Sequence, residues 1–322
     1  MNRPIVAVSR STLPGSALDR LRGSAVVEVW PYKRPPNPDE LASLAGDAQA
    51  LLCVSSDRID ESLLEQCPKL KCVATVSAGF DHLDLAALTA RGILATNAPD
   101  VLTESTADLT WALILGVRRQ VVAGDRLVRS GGWTTPDGFD LLPAYDIHGA
   151  TLGIIGYGKV GRAVARRAKG FNMTVVHTSV PPEATDEWSR SASFDELLEA
   201  ADVVSLHVTL NPATEGLIGE AELRRMKSTA ILVNASRGRI VDETALVRAL
   251  GENWIAGAGL DVVVNEPADK SNPLLDHPHC VVLPHIASAT HDTRERMVEL
   301  AVQQVATSLA GDIPNHTLNR RP

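Results

Sequence analysis

Three segments in the second half of the chain share a form: a short β-branched or small-residue run, then a polar residue at or just beyond its end. "AILVNASRGRIVDE" carries its run to Asn234 and places Arg237 past it, "AGAGLDVVVNEP" puts Asp261 near a strand end and Glu266 in the loop, and "CVVLPHIASATH" ends on His285. A lone histidine at a strand end is more often a hydrogen-bonded rim residue than a catalyst. The three residue types together suit one chemistry, the reduction of a carbonyl beside a carboxylate. A histidinium can give the developing alkoxide its proton. A carboxylate beside an imidazole raises its pKa and fixes its tautomer. An arginine can clamp a substrate carboxylate with two parallel hydrogen bonds while polarising the adjacent carbonyl.

Such a reduction needs a hydride, and the segment "TLGIIGYGKVGRAVARRAKGFNMTVVHTS" says where it comes from. An apolar strand leads into Gly156-x-Gly158-x-x-Gly161, which opens an alanine-rich helix followed by a second strand. GxGxxG alone is a weak signal, but between a strand and a helix it has the context of a dinucleotide site. The glycines allow a tight turn, the approach of a pyrophosphate and close helix-on-strand packing. The helix N-terminus favours the phosphates. An NAD site usually places an acid about 20 residues along, to accept from the ribose 2′-hydroxyl. Here His177, Thr178 and Ser179 occupy that region, and Val180, Pro181 and Pro182 follow. The missing acid favours NADP(H) over NAD(H). An arginine expected just beyond is missing too, which allows activity with both.

The elements that must position these residues alternate from end to end. Candidate strands lie at 5–10, 25–30, 50–55, 71–77 and 92–97, then at 151–156, 173–178, 202–208, 230–236, 255–262 and 280–285. Near-continuous apolar strands separated by helical patterns predict an α/β fold with two doubly wound parallel sheets. One long helical stretch, "VLTESTADLTWALILGVRRQVVAGDRLVRSG", joins the two, with Thr103 as its expected N-cap. The final amphipathic helix, "HDTRERMVELAVQQVATSLAG", is expected to return to the first unit. The expected domains are therefore 1–99 plus 287–322, and 100–286. Ligands of doubly wound sheets sit outside the carboxyl ends of the strands, so Arg237, Glu266 and His285 should converge on the cleft the glycine loop opens into.

Bulk properties narrow the classes. The 322 residues are 44% hydrophobic and 22% charged, with a net charge of −8 and no block of lysines and arginines. Nucleic acid and anionic membrane surfaces are poor partners for such a chain. The start "MNRPIVAVSR" has too short an apolar part for a signal peptide, and no apolar run approaches a membrane span. Cys53, Cys67, Cys72 and Cys280 form no CxxC pair and no metal-like cluster with histidine. They read as buried hydrophobes in a reducing cytoplasm, and no metal is expected.

The chain resembles the D-isomer-specific 2-hydroxyacid dehydrogenases, within them the glyoxylate/hydroxypyruvate reductase branch that includes 2-ketogluconate reductases. The resemblance covers nearly the whole chain. It rests on "VSAGFDHLDLAALTARGILATNAPDVLTESTADLTWALIL", the glycine unit, "KSTAILVNASRGRIVDETAL", "AGAGLDVVVNEP" and "PHIASATHDTRERM". It implies a flavodoxin-like substrate domain and a Rossmann coenzyme domain with the active site in the cleft between them. It also implies that Arg237 binds substrate, that Glu266 pairs with the catalytic histidine and that His285 is the acid/base. The backbone of Val76, Ser77, Ala78 and Gly79 would cradle the substrate carboxylate. Cofactor contacts would come from Thr106, Gly156, Gly158, Lys159, Val160, Gly161, Thr178, Ser179, Val208, Thr209, Thr214, Ala235, Ser236, Asp261, His285 and Ala287. Asp261 would lie on the nicotinamide carboxamide side.

The remaining histidines have plainer readings. His291 is expected to start a helix, His82 to make a local hydrogen bond, and His177 and His207 to be rim or core residues. Trp133 either packs locally or, as in relatives, reaches across a dimer. The expected activity is NAD(P)H-dependent reduction of glyoxylate, hydroxypyruvate or 2-ketogluconate to the D-2-hydroxy acid by a cytoplasmic homodimer. The alternatives are a D-3-phosphoglycerate dehydrogenase, though no cationic phosphate pocket is evident, and a dinucleotide-sensing corepressor on the same fold. Formate dehydrogenase would carry glutamine in place of Glu266.

Overall fold

The computed structural model describes residues 3–136, 140–178 and 186–320. The described chain divides into two units, Met1–Leu102 with Ser288–Pro322, and Thr103–Ala287. The first division falls at the start of a long helix rather than in the loop before it.

The first unit holds β1 (Ile5–Val8), β2 (Val26–Val29), β3 (Ala50–Cys53), β4 (Cys72–Thr75) and β5 (Leu94–Thr96). They form a wholly parallel sheet in the order β2-β1-β3-β4-β5, a doubly wound order of the flavodoxin type. The two-residue alternation of a strand divides its side chains between two helix layers. Ala7, Leu51, Cys53 and Val73 face the helices Pro38–Ala45, Glu61–Glu65 and Leu85–Ala90, meeting Leu41, Leu63, Leu64 and Leu88. Val6, Val8, Leu52 and Ala74 face the helices Ala17–Arg22 and His291–Leu309, meeting Leu21, Val298, Ala301 and Val305. The C-terminal helix begins at His291 because Thr290 caps it, accepting from the Thr293 N–H at 3.2 Å.

The second unit holds β6 (Thr151–Ile155), β7 (Thr174–Thr178), β8 (Arg190–Ser191), β9 (Val203–Leu206), β10 (Ile231–Asn234), β11 (Gly257–Leu260) and β12 (Cys280–Val282). This sheet is also wholly parallel, in the order β12-β11-β10-β9-β6-β7-β8. That is the Rossmann order with one further strand, and the order reverses between β9 and β6. Leu152, Ile154, Ile231 and Val233 pack under the helices Thr103–Arg118 and Lys159–Ala168. Ile155, Leu206, Leu232 and Leu260 pack under Phe194–Ala200, Glu220–Arg225 and Glu243–Gly251 on the other face. Burying one such Leu or Ile contributes about 1.5–3 kcal/mol, which makes these layers the main driving force of the fold.

Two features depart from the sequence expectation. The stretch read as one long helix is two, Thr103–Arg118 and Val121–Arg129, broken where Gln120 takes a left-handed φ of 51°. The short edge strand β8 lies beyond the eleven expected. Both of its residues, Arg190 and Ser191, are exposed and carry no apolar pattern.

Candidate active site

At the carboxyl end of β6 the three glycines do different work. Gly156 has φ +95°, and a Cβ there would lie 2.6 Å from the His207 carbonyl carbon and 2.7 Å from the Val208 nitrogen. The loop therefore crosses directly over the end of β9. Gly161 packs the helix onto the loop, since its Cβ would be 2.3 Å from the Gly156 carbonyl oxygen. A Cβ on Gly158 would meet nothing within 4 Å. The middle glycine thus leaves open space beside the N-terminus of the helix Lys159–Ala168. The N–H groups of Lys159, Val160 and Gly161 occupy the first turn, where no intrahelical acceptor exists. Open backbone and a helix N-terminus suit a pyrophosphate, so these residues fit a dinucleotide.

On the β7 side, Thr178 ends the strand and its carbonyl accepts the Gly156 N–H at 2.9 Å. Ser179 lies outside the described residues. His177 is a core residue, stacked on the Tyr157 ring at 3.8 Å, with its Nδ1 2.8 Å from the Ser189 Oγ. The structure adds an acid that the sequence reading did not flag. Asp186 accepts from the Tyr157 hydroxyl at 2.7 Å and the Trp188 N–H at 2.9 Å, and pairs with Arg162 at 2.9 Å. Burial works against ionisation of Asp186, but these donors hold its carboxyl below the usual range. Burial, then the bond to Asp186, pushes the Tyr157 hydroxyl upward.

The loop after β9 carries Val208, Thr209 and Thr214. It is pinned by the Thr214 hydroxyl, which donates to the Thr209 carbonyl at 2.6 Å and accepts from the Asn211 N–H at 2.9 Å. His207 faces Ser205, its Nε2 2.8 Å from the Oγ, and burial pushes its pKa down to about 4. Thr106 is buried in the first turns of the helix Thr103–Arg118, its carbonyl accepting from the Thr110 hydroxyl at 2.8 Å.

Beyond β10 the turn through Ala235, Ser236 and Arg237 is tied down from three sides. The Asn234 amide donates to the Arg237 carbonyl at 2.8 Å and accepts the Ser236 N–H at 3.0 Å, and the Ser236 hydroxyl donates to the Leu206 carbonyl at 2.6 Å. Gly238 then passes so close to the loop after β11 that a Cβ would lie 2.0 Å from the Val263 carbonyl carbon. That close approach brings Arg237 into the field of Glu266. Asn234 stood out from the sequence only as the end of its run, and Gly238 did not, its signal being a glycine directly after the arginine.

Beyond β11 and β12 the chain builds the histidine turn. His285 itself takes a left-handed φ of 52°, a conformation histidine visits more readily than most residues but still at a cost. Three hydrogen bonds hold it, all to Asp261, which is fully buried. The His285 N–H donates to the Asp261 carbonyl, the Ile286 N–H to its Oδ1 and the Ala287 N–H to its Oδ2, each at 2.8 Å. Burial raises the Asp261 pKa despite those two amide donors.

The turn presents the imidazole to Glu266, with Nδ1 2.7 Å from Oε2 and side chains 35% and 38% exposed. A carboxylate only accepts, so Nδ1 carries a hydrogen and Nε2 is left for other partners. Burial opposes ionisation of Glu266. The hydrogen bond from His285, its charge, the Val263 N–H at 3.3 Å and the charge of Arg237 together hold the carboxyl below its ordinary value.

In the first unit, residues 76–79 follow β4. Three of their carbonyls are engaged: Ser77 by the Ala98 N–H (2.9 Å), Ala78 by the Asn97 amide (2.6 Å) and Gly79 by the Ser77 hydroxyl (2.7 Å). Among the described residues, the Ala78 and Gly79 N–H groups donate to no protein acceptor. Two adjacent N–H groups of this kind suit an anion. Val76 is buried, and its N–H donates to the Cys53 carbonyl at 2.9 Å. His82 is hydrogen-bonded to Thr75. His291 is an exposed first residue of a helix, and Trp133 is 57% exposed. Among the described residues no group of three His, Cys, Asp or Glu side chains is placed to hold a metal ion.

Known proteins resemble the chain along its whole length. A sequence model of the D-isomer specific 2-hydroxyacid dehydrogenase NAD binding domain matches residues 111–287. A glyoxylate reductase of Korarchaeum cryptofilum is 42% identical over 321 residues, covering 99% of this chain and 96% of the relative. A crystal structure of a Thermus thermophilus protein superposes with a TM-score of 0.91 at 44% identity, covering 98% of this chain and 99% of that one. An NADPH-dependent glyoxylate/hydroxypyruvate reductase of Sinorhizobium meliloti, solved with NADP and malonate, gives 0.88 at 29% identity over all of both chains.

Proposed function

Because the chain belongs to the D-isomer-specific 2-hydroxyacid dehydrogenase family, and so is an oxidoreductase that reduces 2-oxo acids to D-2-hydroxy acids with a nicotinamide cofactor, we propose that its substrates are glyoxylate and hydroxypyruvate. The observation that carries the reading is the His285–Glu266 pair beside Arg237, at the same carboxyl end of the sheet as the glycine loop.

When bound, the reduced nicotinamide supplies a hydride to the substrate's carbonyl carbon. Arg237 clamps the substrate carboxylate and polarises the adjacent carbonyl. In the first unit, which acts as the substrate domain, the Ala78 and Gly79 N–H groups suit a substrate carboxylate. His285, protonated and held by Glu266 through Nδ1, passes the Nε2 proton to the carbonyl oxygen as charge develops there. Asp261 keeps the histidine turn in place. The second unit acts as the coenzyme domain. Its glycine loop and the turn N–H groups at 159–161 hold the pyrophosphate, with Thr106, Thr178, Val208, Thr209, Thr214, Ala235, Ser236 and Ala287 along the rest of the nucleotide.

NADPH is the preferred reductant. β7 contributes no acid at its end, and the nearby Asp186 spends its oxygens on Tyr157, Trp188 and Arg162. The protein works as a homodimer through the helix Val121–Arg129, which buries none of its residues. Val121, Val128, Trp133 and Tyr145 are 43–58% exposed in that region, more apolar surface than a free helix needs. Among the described residues no helix is long and apolar enough to cross a membrane. The four buried, unpaired cysteines suit a reducing cytoplasm.

The test is oxidation of NADPH and of NADH with glyoxylate, hydroxypyruvate, 2-ketogluconate and pyruvate, beside a His285→Ala variant. Rapid NADPH oxidation with the first two substrates, lost by orders of magnitude in the variant, is expected. Binding of nucleotide without turnover of any substrate would overturn the reading. Light scattering at micromolar concentration checks the dimer, which a monomeric mass refutes.

A further inference from the structure

The carboxylate cradle at 76–79 contains a residue that nothing in its own chemistry would hold still. Gly79 has no Cβ, and a glycine samples more backbone conformations than any other residue. For its N–H to meet a carboxylate, the plane that carries it must be aimed from outside, and fixing the plane that follows removes the glycine's remaining freedom to rotate. A trans peptide is planar, with its C=O and N–H pointing in opposite directions. Whatever pins the carbonyl of one residue therefore aims the N–H of the next.

Two sets of side chains do this. The Asn97 amide donates to the Ala78 carbonyl at 2.6 Å, which fixes the plane carrying the Gly79 N–H. Asn97 is in turn held by the buried Gln304 of the C-terminal helix, whose amide donates to the Asn97 carbonyl at 2.8 Å. On the other side, the Gly79 carbonyl accepts from the Ser77 hydroxyl at 2.7 Å. The Ser77 hydroxyl lies 2.8 Å from that of Thr75, which lies 3.0 Å from the His82 Nε2. Each hydroxyl has one proton. Ser77 spends its proton on the Gly79 carbonyl, so Thr75 must donate to Ser77 and the His82 Nε2 must donate to Thr75. The relay runs in one direction only, from the histidine to the cradle.

We propose that Asn97 and His82 are positioning residues for substrate binding that never touch the substrate: Asn97 aims the plane carrying the Gly79 N–H at the substrate carboxylate, and His82, through Thr75 and Ser77, fixes the plane that follows Gly79 so that the glycine cannot turn away. The proposal rests on the reading that the Ala78 and Gly79 N–H groups hold that carboxylate. It assigns a consequence for substrate binding to a histidine whose plain reading was a local hydrogen bond, and to a helix far along the chain.

Asn97→Ala, His82→Ala and His82→Gln test it, the last because a glutamine amide can donate from the position of Nε2. The losses should fall on glyoxylate binding. Asn97→Ala and His82→Ala are each expected to raise KM for glyoxylate about tenfold, the worth of roughly one net hydrogen bond. Their kcat should stay within about twofold and KM for the nucleotide should not change. His82→Gln should recover most of the loss. If Asn97→Ala does not fold, the His82 pair carries the test alone. An unchanged KM for glyoxylate, or a parallel rise in the nucleotide KM, overturns the proposal, the second by showing general loosening.

The underlying reading has its own readout. Adding oxamate to nucleotide-saturated, 15N-labelled wild-type protein should shift the Ala78 and Gly79 amide signals. If they do not move, the carboxylate lies elsewhere and the reading and the proposal fall together. If they move while the variants keep wild-type KM values, the proposal alone falls.

Discussion

Asp261→Asn changes one oxygen to an NH2 group and tests what holds the histidine in its reactive position. Asp261 is fully buried, and its two carboxylate oxygens accept the Ile286 and Ala287 N–H groups at 2.8 Å each. Asparagine keeps one of those bonds and presents donors to the other N–H. The loss is one charge-assisted bond, worth about 1.5–3 kcal/mol, together with a buried N–H left facing a donor. Relief from burying a charge, which raises the Asp261 pKa, returns part of that. A net loss of about 2 kcal/mol remains at the turn. The left-handed conformation of His285 (φ 52°) costs about 1–3 kcal/mol by itself, so the weakened turn should populate other conformations. Expressed in the transition state, the change lowers kcat/KM for glyoxylate about 30-fold, with kcat falling and KM for the nucleotide within about twofold. The assay is steady-state kinetics with both substrates varied, beside a thermal melt. A loss confined to the nucleotide KM would refute this account and make Asp261 a direct cofactor contact. A kcat/KM within about threefold of wild type would show that the turn stands without the bond.

Three further outcomes follow from the same geometry. Glu266→Gln keeps an acceptor for His285 but removes the charge, and should lower kcat/KM about tenfold with little change in melting temperature; unchanged kinetics would make the 2.7 Å pairing incidental. Gly161→Ala and Gly158→Ala should part company. The first forces a Cβ to 2.3 Å from a backbone oxygen and should destabilise the protein by about 1–3 kcal/mol, whereas the second meets nothing within 4 Å and should melt normally yet bind NADPH much more weakly. Wild-type nucleotide affinity in Gly158→Ala would move the pyrophosphate elsewhere. Finally, His207 has its folded pKa lowered to about 4. Between an unfolded value near 6.5 and that point the unfolded chain holds more protons, so stability falls as pH falls, by at most about 1.4 kcal/mol per unit. His207→Gln should flatten that limb in denaturant titrations from pH 7 to 4, and an identical slope in the variant would assign it to other groups.

Much of the fold was legible because its strands are short, apolar and separated by helical patterns, so all eleven expected runs could be read from composition and spacing. β8 could not, since Arg190 and Ser191 pair through backbone alone and carry no pattern. The break at Gln120 was hidden because the apolar periodicity runs through it, and a left-handed residue other than glycine leaves no mark in the sequence. At the candidate site, Arg237, Glu266 and His285 stood out because each follows a strand. The embrace of the 285–287 turn by Asp261 did not, since only tertiary structure decides which N–H groups a buried carboxylate meets. Asp186 was invisible for a similar reason, as it reaches Tyr157 from 29 residues away. Asn97 and Gln304 lie 207 residues apart and meet only because the chain returns.

That return has a consequence for how the protein is made. One face of the first sheet is covered in part by Met297, Val298, Ala301, Val302 and Val305, all on the helix His291–Leu309. A ribosome makes β1 through β5 first, yet must add nearly two hundred more residues before those side chains exist. The segment Thr103–Ala287 is contiguous and can close its own core as soon as it emerges. The first half-core therefore waits with Val6, Val8, Leu52 and Ala74 only partly covered, by Ala17 and Leu21, and the earliest part of the polypeptide to be synthesised is the last to be completed.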